Sequence, residues 1–210
     1  MNDHYYSQQP TSQHDPKRYT WVEEGTTFQF ETDRGVFLRD GLDYGSQVLI
    51  KTVRKYWQPR WQSLLELGSG YGPVAIILKK LSESEGPDLT VTGIELNQRA
   101  YDLAQTNQQL NQIKEIQWIQ SDVTQVNWDV QYDCVVTNPP IRAGKQTIQA
   151  FVDQAEIALK PGGELYVVIQ KKQGAPSMRD YMVQRFDNVE RLKQDRGYWI
   201  LRSIKQEGSD

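Results

Sequence analysis

Residues 64–76, LLELGSGYGPVAI, carry the pattern that decides the fold: an apolar strand runs through three glycines directly into an apolar helix. Glycine lets the backbone turn sharply and approach a ligand closely, because it has no Cβ. In α/β folds such a turn lies at the carboxyl edge of the sheet, where ligands bind. The spacing, G-x-G-x-G followed by Pro73, differs from the G-x-G-x-x-G of dinucleotide sites. The pattern favours a nucleotide-like ligand other than a dinucleotide. The alternative, a βα turn that binds no ligand, stays open.

Outward from this stretch, short apolar runs alternate with helical ones. Strands are predicted at residues 63–67, 89–95, 116–120, 132–137 and 164–170, and helices at residues 72–81, 97–111, 145–159 and 177–186. Strands separated by helices favour right-handed crossovers and a parallel sheet with helices on both faces. Residues 188–193 and 198–204 flank Gly197 and predict an antiparallel hairpin at the sheet edge. We therefore expect an α/β fold with a mostly parallel seven-stranded sheet.

The first 58 residues differ in character from the rest. Residues 1 to about 20 are rich in Gln, Ser, Tyr and Pro and are expected to be loosely ordered unless they pack on the domain. A strand at residues 27–30, a turn at residues 33–35 and the following Val36 and Phe37 predict a small hairpin. Apolar residues at helical spacing predict a helix over residues 46–57. We expect residues 1–58 to pack as leader, hairpin and helix on a domain formed by residues 59–210, in one structural unit.

Composition excludes several classes of protein. With 210 residues, 38% of them hydrophobic, the chain can bury one sizeable core, and it has no apolar run near the roughly 20 residues of a membrane helix. Its polar start is unlike a signal peptide, so we expect a cytoplasmic protein, monomeric or homodimeric. The single cysteine, Cys134, offers no cysteine-rich metal site and, within an apolar strand, is expected to be a buried structural thiol. We expect no metal and no membrane partner.

Charge is unevenly distributed along the chain. The net charge is −3, but residues 138–210 hold 12 basic and 9 acidic residues, whereas residues 61–137 hold 4 and 10. The local field decides whether a surface meets phosphate groups, so the basic residues Arg142, Lys145 and Lys171 are candidates for a nucleic-acid contact. Ordinary solvated surface charges explain the same pattern.

Three acidic residues follow successive strands. Glu66 stands beside the glycine loop, where its carboxylate would repel a pyrophosphate but attract an ammonium or sulfonium group. Glu95 ends the next strand, in GIELN, where its two oxygens can accept hydrogen bonds from both hydroxyls of a ribose. Asp122 ends the third strand, in QSDV, where it can accept from an adenine amino group. Helix capping would explain any one of them, but three in order favour S-adenosylmethionine as the ligand.

The fourth strand leads into a rigid turn, Asn138-Pro139-Pro140. Consecutive prolines cannot donate ladder hydrogen bonds and hold the chain extended, which fixes Asn138 at the sheet edge. Amino nitrogens such as guanine N2, adenine N6 or a glutamine amide have a delocalised lone pair. If Asn138 Oδ1 and the Pro139 carbonyl each accept one N–H, that lone pair is aimed at the methyl group of a sulfonium, and positioning replaces a strong base. The turn predicts an amino-nitrogen methyltransferase.

The motifs ELGSGYG, GIELN, SDV and NPPI occur in this order. With them the chain resembles the class I S-adenosylmethionine-dependent methyltransferases, and specifically the small methyltransferase domain of the ribosomal small-subunit RNA guanine-N2 methyltransferases. The resemblance covers nearly the whole chain, from GVFLRDGLDYGSQVLI at residues 35–50 to LKPGGELYVVIQKKQGAP at residues 159–176. It implies a Rossmann-like fold, S-adenosylmethionine as cofactor, guanine N2 of 16S ribosomal RNA as the target, and ribosomal RNA or the small ribosomal subunit as the partner.

The residues and the resemblance together assign candidate roles. The expected cofactor-binding residues are Glu66, Gly68, Ser69, Gly70, Gly72, Glu95, Leu96, Asp122, Val123 and Asn138. The expected catalytic residues are Asn138, Pro139 and Pro140. The expected substrate-binding residues are Phe37, Arg39, Ile141, Arg142, Lys145 and Lys171. The resemblance further implies that Asp43 helps to close the site.

The chain departs from the related methyltransferases at two points. They often have an aromatic residue at the position of Ile141, suited to stacking on a flipped base, so here Phe37 or Tyr44 would take that part. Longer members also carry a second, degenerate domain that helps to bind RNA. In this chain the RNA contacts would come from the leader, from the basic last third or from a second copy of the protein.

Three alternatives stay open. A protein-glutamine methyltransferase would use the same turn on an amide, but such enzymes typically carry a separate helical N-terminal domain. A small-molecule N-methyltransferase usually has larger insertions that roof its pocket. A non-catalytic module that binds S-adenosylmethionine or RNA is the third alternative, against which the intact Asn138-Pro139-Pro140 argues.

Overall fold

The computed structural model describes residue 8 and residues 13–36, 41–86 and 88–208. The strands are β1 (Lys17–Glu23), β2 (Thr26–Thr32), β3 (Ser63–Leu67), β4 (Thr90–Glu95), β5 (Gln117–Gln120), β6 (Tyr132–Thr137), β7 (Leu159–Gln170), β8 (Glu190–Asp195) and β9 (Tyr198–Ile204). The α-helices are α1 (Tyr44–Lys55), α2 (Pro73–Ser82), α3 (Gln98–Leu110), α4 (Lys145–Ala158) and α5 (Ala175–Phe186). Strands and α-helices alternate from β3 to α5, as the sequence predicts, except that only a 3-10 helix, Val123–Gln125, lies between β5 and β6.

The main sheet has seven strands in the order β5-β4-β3-β6-β7-β9-β8. Strands β3 to β7 pair in parallel, whereas β9 pairs antiparallel with both β7 and β8. The strand order reverses between β3 and β6, where the connections leave toward opposite sides and open a crevice at the carboxyl ends. The prediction of a mostly parallel, Rossmann-like sheet with an antiparallel C-terminal hairpin is confirmed.

Apolar residues on the central strands alternate between two cores, one on each face of the sheet. On β6, Cys134 and Val136 face the core that includes α1, α2 and α3, whereas Val135 faces the core that includes α4 and α5. All three side chains are fully buried. A strand buried on both faces has to be apolar throughout, which explains the continuous hydrophobic runs in the sequence. The predicted covering of both faces by helices is therefore confirmed.

The N-terminal hairpin is formed by β1 and β2. The predicted hairpin, in which a strand at residues 27–30 turned back at residues 33–35, was wrong. Glu24 and Gly25 join the two strands with φ values of 47° and 76°, the geometry of a two-residue hairpin turn. The chain does turn at residues 34–35, but β2 pairs upstream with β1 rather than with Val36. The end of the predicted loosely ordered segment is also a strand, because β1 begins at Lys17 and pairs with β2. Residues 1–7 and 9–12 of that segment lie outside the described residues. The strand begins with the exposed polar residues Lys17, Arg18 and Thr20, and this masked its strand character in the sequence.

The remaining boundaries differ only in detail from the predictions. Strands β3 and β6 have the predicted bounds, whereas β7 begins at Leu159, five residues before the predicted start. Helix α1 begins at Tyr44 rather than at residue 46, because the Asp43 side chain accepts the Ser46 N–H and caps the helix there. This cap brings the N-terminal end of α1 to the carboxyl edge of the sheet.

No helix in the described part of the chain combines the length and apolar character needed to cross a bilayer.

Candidate active site

A cavity of about 370 Å³ opens at the carboxyl edge of the sheet. Of the predicted cofactor-binding residues, it is lined by Glu66, Gly68, Ser69, Gly70, Glu95, Leu96, Asp122, Val123 and Asn138. Pro139, Pro140 and Arg142 line it as well. These residues follow four different strands, so the fold brings the predicted cofactor loop and the predicted catalytic turn to one cavity.

The glycine loop wraps one side of this cavity. Gly68 and Gly70 have φ values of 73° and 56°, in the left-handed region that favours glycine. A Cβ on Gly68 would lie 3.1 Å from Cε1 of Phe151, a second reason for glycine there. Gly72 does not line the cavity; it is the N-cap of α2, with a φ of 91°. The first two glycines therefore shape the cavity, and Gly72 serves the turn into the helix.

Glu95 joins the glycine loop to the start of α3. Its Oε2 accepts the Gly70 N–H at 2.7 Å, and its Oε1 accepts the Asn97 N–H at 2.8 Å. A carboxylate oxygen has two lone pairs, so each oxygen can still accept a further hydrogen bond. The carboxylate is thus held in place by the backbone on one side and lines the cavity on the other, an arrangement that suits the two hydroxyls of a ribose.

The cavity lining is acidic. Glu66 is 3% exposed, and its Oε2 accepts the Ala75 N–H at 2.9 Å. Burial raises the pKa of Glu66 well above its usual range, and the nearby carboxyl groups of Glu95 and Asp43 raise that pKa further. Burial also raises the pKa of Glu95 and of Asp43. Because a bound cation would stabilise the ionised form of each group, the site favours a positively charged ligand. S-adenosylmethionine carries an ammonium and a sulfonium and fits these residues.

Asp122 caps a short helix and also lines the cavity. Its Oδ1 accepts hydrogen bonds from the N–H and the hydroxyl of Thr124, each at 2.8 Å, and caps the 3-10 helix Val123–Gln125. The capping role that the sequence left open is therefore real. Asp122 lines the cavity nonetheless, next to the buried Val123. The two neighbours offer a hydrogen-bond acceptor and an apolar surface to an adenine ring.

Asn138 is held in one orientation at the end of β6. Its Nδ2 donates to Asp43 Oδ1 at 3.1 Å and to Ser46 Oγ at 3.2 Å. Because both N–H groups of the amide already donate hydrogen bonds, the Oδ1 atom remains free to accept one. Asp43 and Ser46 both line the cavity. The helix α1 thus fixes the amide of the predicted catalytic turn through its capping residue.

The predicted substrate-binding residues lie in three different places. Arg142 lines the cavity, whereas Ile141 and Lys145 line a second cavity of about 300 Å³. Lys171 is exposed and its N–H donates to the Gly197 carbonyl at 2.7 Å; it lines neither cavity. Phe37 and Arg39 lie outside the described residues.

Several lining residues were missed by the sequence analysis. They include Ser46, Tyr71, Thr147 and Phe151. Thr147 and Phe151 are four residues apart on α4 and therefore share a face of that helix. That spacing, directly after the catalytic turn, is the signal that could have found them. Tyr71 lies between two glycines of the predicted loop, and that position was its signal. Its hydroxyl lies 2.8 Å from the hydroxyl of Tyr19, 52 residues earlier in the chain, a contact that the sequence does not reveal.

Cys134 is fully buried, and burial raises the pKa of its thiol well above the usual range. A thiol in this environment stays protonated and is a poor nucleophile, as predicted. Within the described ranges, no group of His, Cys, Asp and Glu side chains has the geometry to hold a metal ion.

Comparison with known proteins gives these features a family. The sequence profile named methyltransferase small domain matches residues 27–202. "Uncharacterized protein YbxB" of Bacillus subtilis is 35% identical over 207 residues, which cover 98% of this chain and 100% of that protein. "Ribosomal RNA small subunit methyltransferase C" of Erwinia tasmaniensis is 27% identical over 175 residues, which cover 81% of this chain and 48% of the relative. "Release factor glutamine methyltransferase" of Fusobacterium nucleatum is 27% identical over 197 residues, 86% of this chain and 53% of the relative.

The chain spans about half the length of these last two relatives, 48% and 53%. Among solved structures, it is similar to the T. thermophilus 16S rRNA N2 methyltransferase in complex with AdoMet and guanosine. The TM-score is 0.79 with 25% identity, and the match covers 94% of this chain and 52% of that one. The cofactor is therefore S-adenosylmethionine, the cation that the acidic cavity favours. With its sheet, its cavity and its motifs in agreement, the chain belongs to the methyltransferase small domain family and is an S-adenosylmethionine-dependent methyltransferase.

Proposed function

We propose that the chain methylates an exocyclic amino group, and specifically N2 of a guanine in 16S ribosomal RNA. The observation that carries the proposal is the fixed amide of Asn138. With Nδ2 bound to Asp43 and Ser46, the Oδ1 atom is available to accept an N–H from the substrate. The similarity to a 16S rRNA N2 methyltransferase supports guanine as the base.

The turn orients the reacting nitrogen rather than deprotonating it. S-adenosylmethionine supplies the methyl group on a sulfonium that is already a strong electrophile. Asn138 Oδ1 and the Pro139 carbonyl each accept one N–H of the amino group, so the nitrogen moves toward tetrahedral geometry with its lone pair directed at the methyl carbon. The new N–C bond forms as the S–C bond breaks, and the cationic nitrogen then loses a proton to water. Pro139 and Pro140 keep the turn rigid during this step.

The cofactor is proposed to lie along the three acidic strand ends. Glu66 faces its cationic methionine part, Glu95 accepts from the ribose hydroxyls, and Asp122 with Val123 contacts the adenine. Gly68, Ser69, Gly70 and Leu96 complete the lining. Gly72 acts only through the fold of the loop.

RNA contacts are proposed for the basic residues near the turn. Arg142 lines the cavity, and Lys145 and Lys171 are exposed, where they can meet phosphates. Phe37 and Arg39 stay predictions, as does the division into residues 1–58 and 59–210. If ribosomal RNA or the small subunit is the partner, the protein works in the cytoplasm. It would act as a monomer or as a homodimer whose second copy adds RNA-binding surface.

A second candidate, methylation of a protein glutamine, is favoured by the similarity to a release factor glutamine methyltransferase. A glutamine amide presents the same delocalised nitrogen to the same two acceptors. If the acceptor were a small molecule, the cavity would bind that molecule instead of a base. If the chain were a non-catalytic module, the cavity would bind S-adenosylmethionine without methyl transfer.

The acceptor class can be tested directly. Tritiated S-adenosylmethionine is incubated with the protein and with three acceptors from a strain that lacks it: deproteinised ribosomal RNA, isolated small subunits and total protein. Label in RNA or in subunits supports the proposal, and the comparison of the two identifies naked or assembled RNA as the substrate. Label in protein alone supports the glutamine alternative. No label in any acceptor, with cofactor binding intact, contradicts both.

A further inference from the structure

The second cavity, of about 300 Å³, lies directly beside the catalytic turn. The 3-10 helix Ile141–Ala143 follows the two prolines and contributes to both cavities. Arg142 and Ala143 line the first cavity, whereas Ile141 and Lys145 line the second. Successive residues of one short turn therefore separate the two spaces, and ligands in the two cavities would be close neighbours.

The lining of the second cavity combines an apolar floor with unpaired polar groups. Ile148, Ile169 and Met178 are 8%, 3% and 4% exposed and form the floor. The side chains of Gln149 and Gln173 also line it, and neither makes a hydrogen bond to any residue that the structure describes. An apolar surface supports the face of a nucleobase, and free amides can pair with the edge of the ring.

One lysine lies on the rim of this cavity, and two more stand next to a lining residue in the sequence. Lys145 lines the cavity, and Lys171 and Lys172 immediately precede the lining residue Gln173. All three are exposed, and none forms an ion pair with the described acidic residues. Other cations do find carboxylate partners, as Arg54 does with Glu24 at 2.8 Å. Uncompensated lysines attract phosphate groups rather than an apolar peptide.

We propose that the second cavity binds the base of a nucleotide adjacent to the methylated guanosine in single-stranded RNA, with phosphates at Lys145, Lys171 and Lys172. The inference rests on the proposed function, because it takes the target base to enter the first cavity. An enzyme that extracts a base from a stack also contacts the flanking nucleotides, and those contacts set its preference for sequence context. The second cavity supplies that contact on the other side of the turn.

The test uses a nine-nucleotide single-stranded RNA with one central guanosine and a fluorescent 5′ end. Its Kd is measured by anisotropy with S-adenosylhomocysteine present, for the intact RNA and for versions without the base at either neighbour of the guanosine. The variant Gln149→Leu/Ser177→Leu fills the cavity with aliphatic groups and removes one amide. The control Gln105→Leu/Ser84→Leu makes the same changes at exposed positions that line neither cavity.

In the wild type and the control, loss of one neighbouring base is expected to raise Kd about fivefold or more. In the filled variant this loss is expected to change Kd less than about twofold, because the base site is already gone. Equal effects in all three proteins, or no effect in any, overturn the inference. The labelled-transfer experiment is independent of this result: transfer to RNA without a base effect rejects only the second site, and a base effect without transfer rejects only the proposed reaction.

Discussion

The side-chain nitrogen of Asn138 lies 3.1 Å from Asp43 Oδ1, and the same oxygen accepts the Ser46 N–H at 2.9 Å as the cap of α1. One carboxylate oxygen therefore links the start of α1 to the catalytic turn, across 95 residues of sequence. An amide can flip about its terminal bond, and this contact selects the orientation with Oδ1 free to accept. In the proposed mechanism, Asp43 is thus a positioning residue that acts through Asn138.

Replacing Asp43 tests this positioning. Asp43→Ser keeps an N-cap acceptor for α1 but is too short to hold the Asn138 amide as well, so the single-turnover rate is expected to fall about tenfold, or about 1.4 kcal/mol. Asp43→Asn keeps an acceptor oxygen and is expected to retain most of the rate. The double variant with Asn138→Ala is expected to be no slower than Asn138→Ala alone. Additive losses would contradict a path through Asn138.

Asn138→Ala separates binding from chemistry. The variant loses the acceptor of one substrate N–H, so transfer is expected to slow by at least about tenfold, equivalent to about 1.4 kcal/mol. Cofactor affinity is expected to stay within about twofold, because the carboxylates proposed to hold the cofactor remain in place. Single-turnover kinetics and calorimetry measure the two quantities. An undiminished transfer rate would remove Asn138 from the mechanism.

Glu95→Ala is expected to weaken S-adenosylmethionine binding by about 1.5–3 kcal/mol, the range for hydrogen bonds to a charged group. Since Glu95 also accepts two backbone N–H groups, thermal unfolding has to be measured beside the calorimetry. Asp102→Ala, at an exposed position on α3, is the matched control. Unchanged affinity in a folded Glu95→Ala protein would exclude the ribose contact.

Cofactor affinity is expected to rise with pH. Burial raises the pKa of Glu66 well above its usual range, so in the free protein this carboxyl binds a proton at pH values below the raised pKa. A cationic ligand prefers the ionised form, so binding releases that proton and strengthens as the pH rises through the raised pKa. Calorimetry from about pH 5 to pH 8 measures the trend.

The charge of the ligand gives the control for this pH dependence. S-adenosylhomocysteine lacks the sulfonium charge, and its affinity is expected to depend less on pH. Glu66→Gln is expected to flatten the dependence for S-adenosylmethionine. Parallel pH profiles for the two ligands, or an unaltered profile in Glu66→Gln, would argue against ion pairing at Glu66.

Much of the fold and the cofactor site could be predicted because each element carries its own signal. Strand β6 is apolar throughout and is followed by two prolines, so its end could be placed to the residue. Glu95 and Asp122 could be placed at one cavity by their positions at strand ends, while their contacts with the cofactor stay predictions. Strand β1 could not be predicted, because it begins with the exposed polar residues Lys17, Arg18 and Thr20, and its pairing with β2 identifies it as a strand.

The interactions that orient the catalytic turn could not be predicted in the same way. Asp43 was expected only to help to close the site, and the structure shows that it also caps α1. Its second partner, Asn138, is visible only after α1 has packed against the sheet. Likewise, Ile141 and Arg142 are neighbours in the chain but line different cavities, because a 3-10 turn points successive side chains in different directions.

The central claim is that this cavity methylates guanine N2 in small-subunit RNA. The most direct measurement incubates small subunits and deproteinised 16S RNA from a strain lacking the protein with S-adenosylmethionine and either the wild type or Asn138→Ala. The RNA is then digested to nucleosides and analysed by mass spectrometry. The account predicts new N2-methylguanosine with the wild type and at least about tenfold less of it with the variant at early times. Another methylated nucleoside, or equal N2-methylguanosine with both proteins, would contradict it.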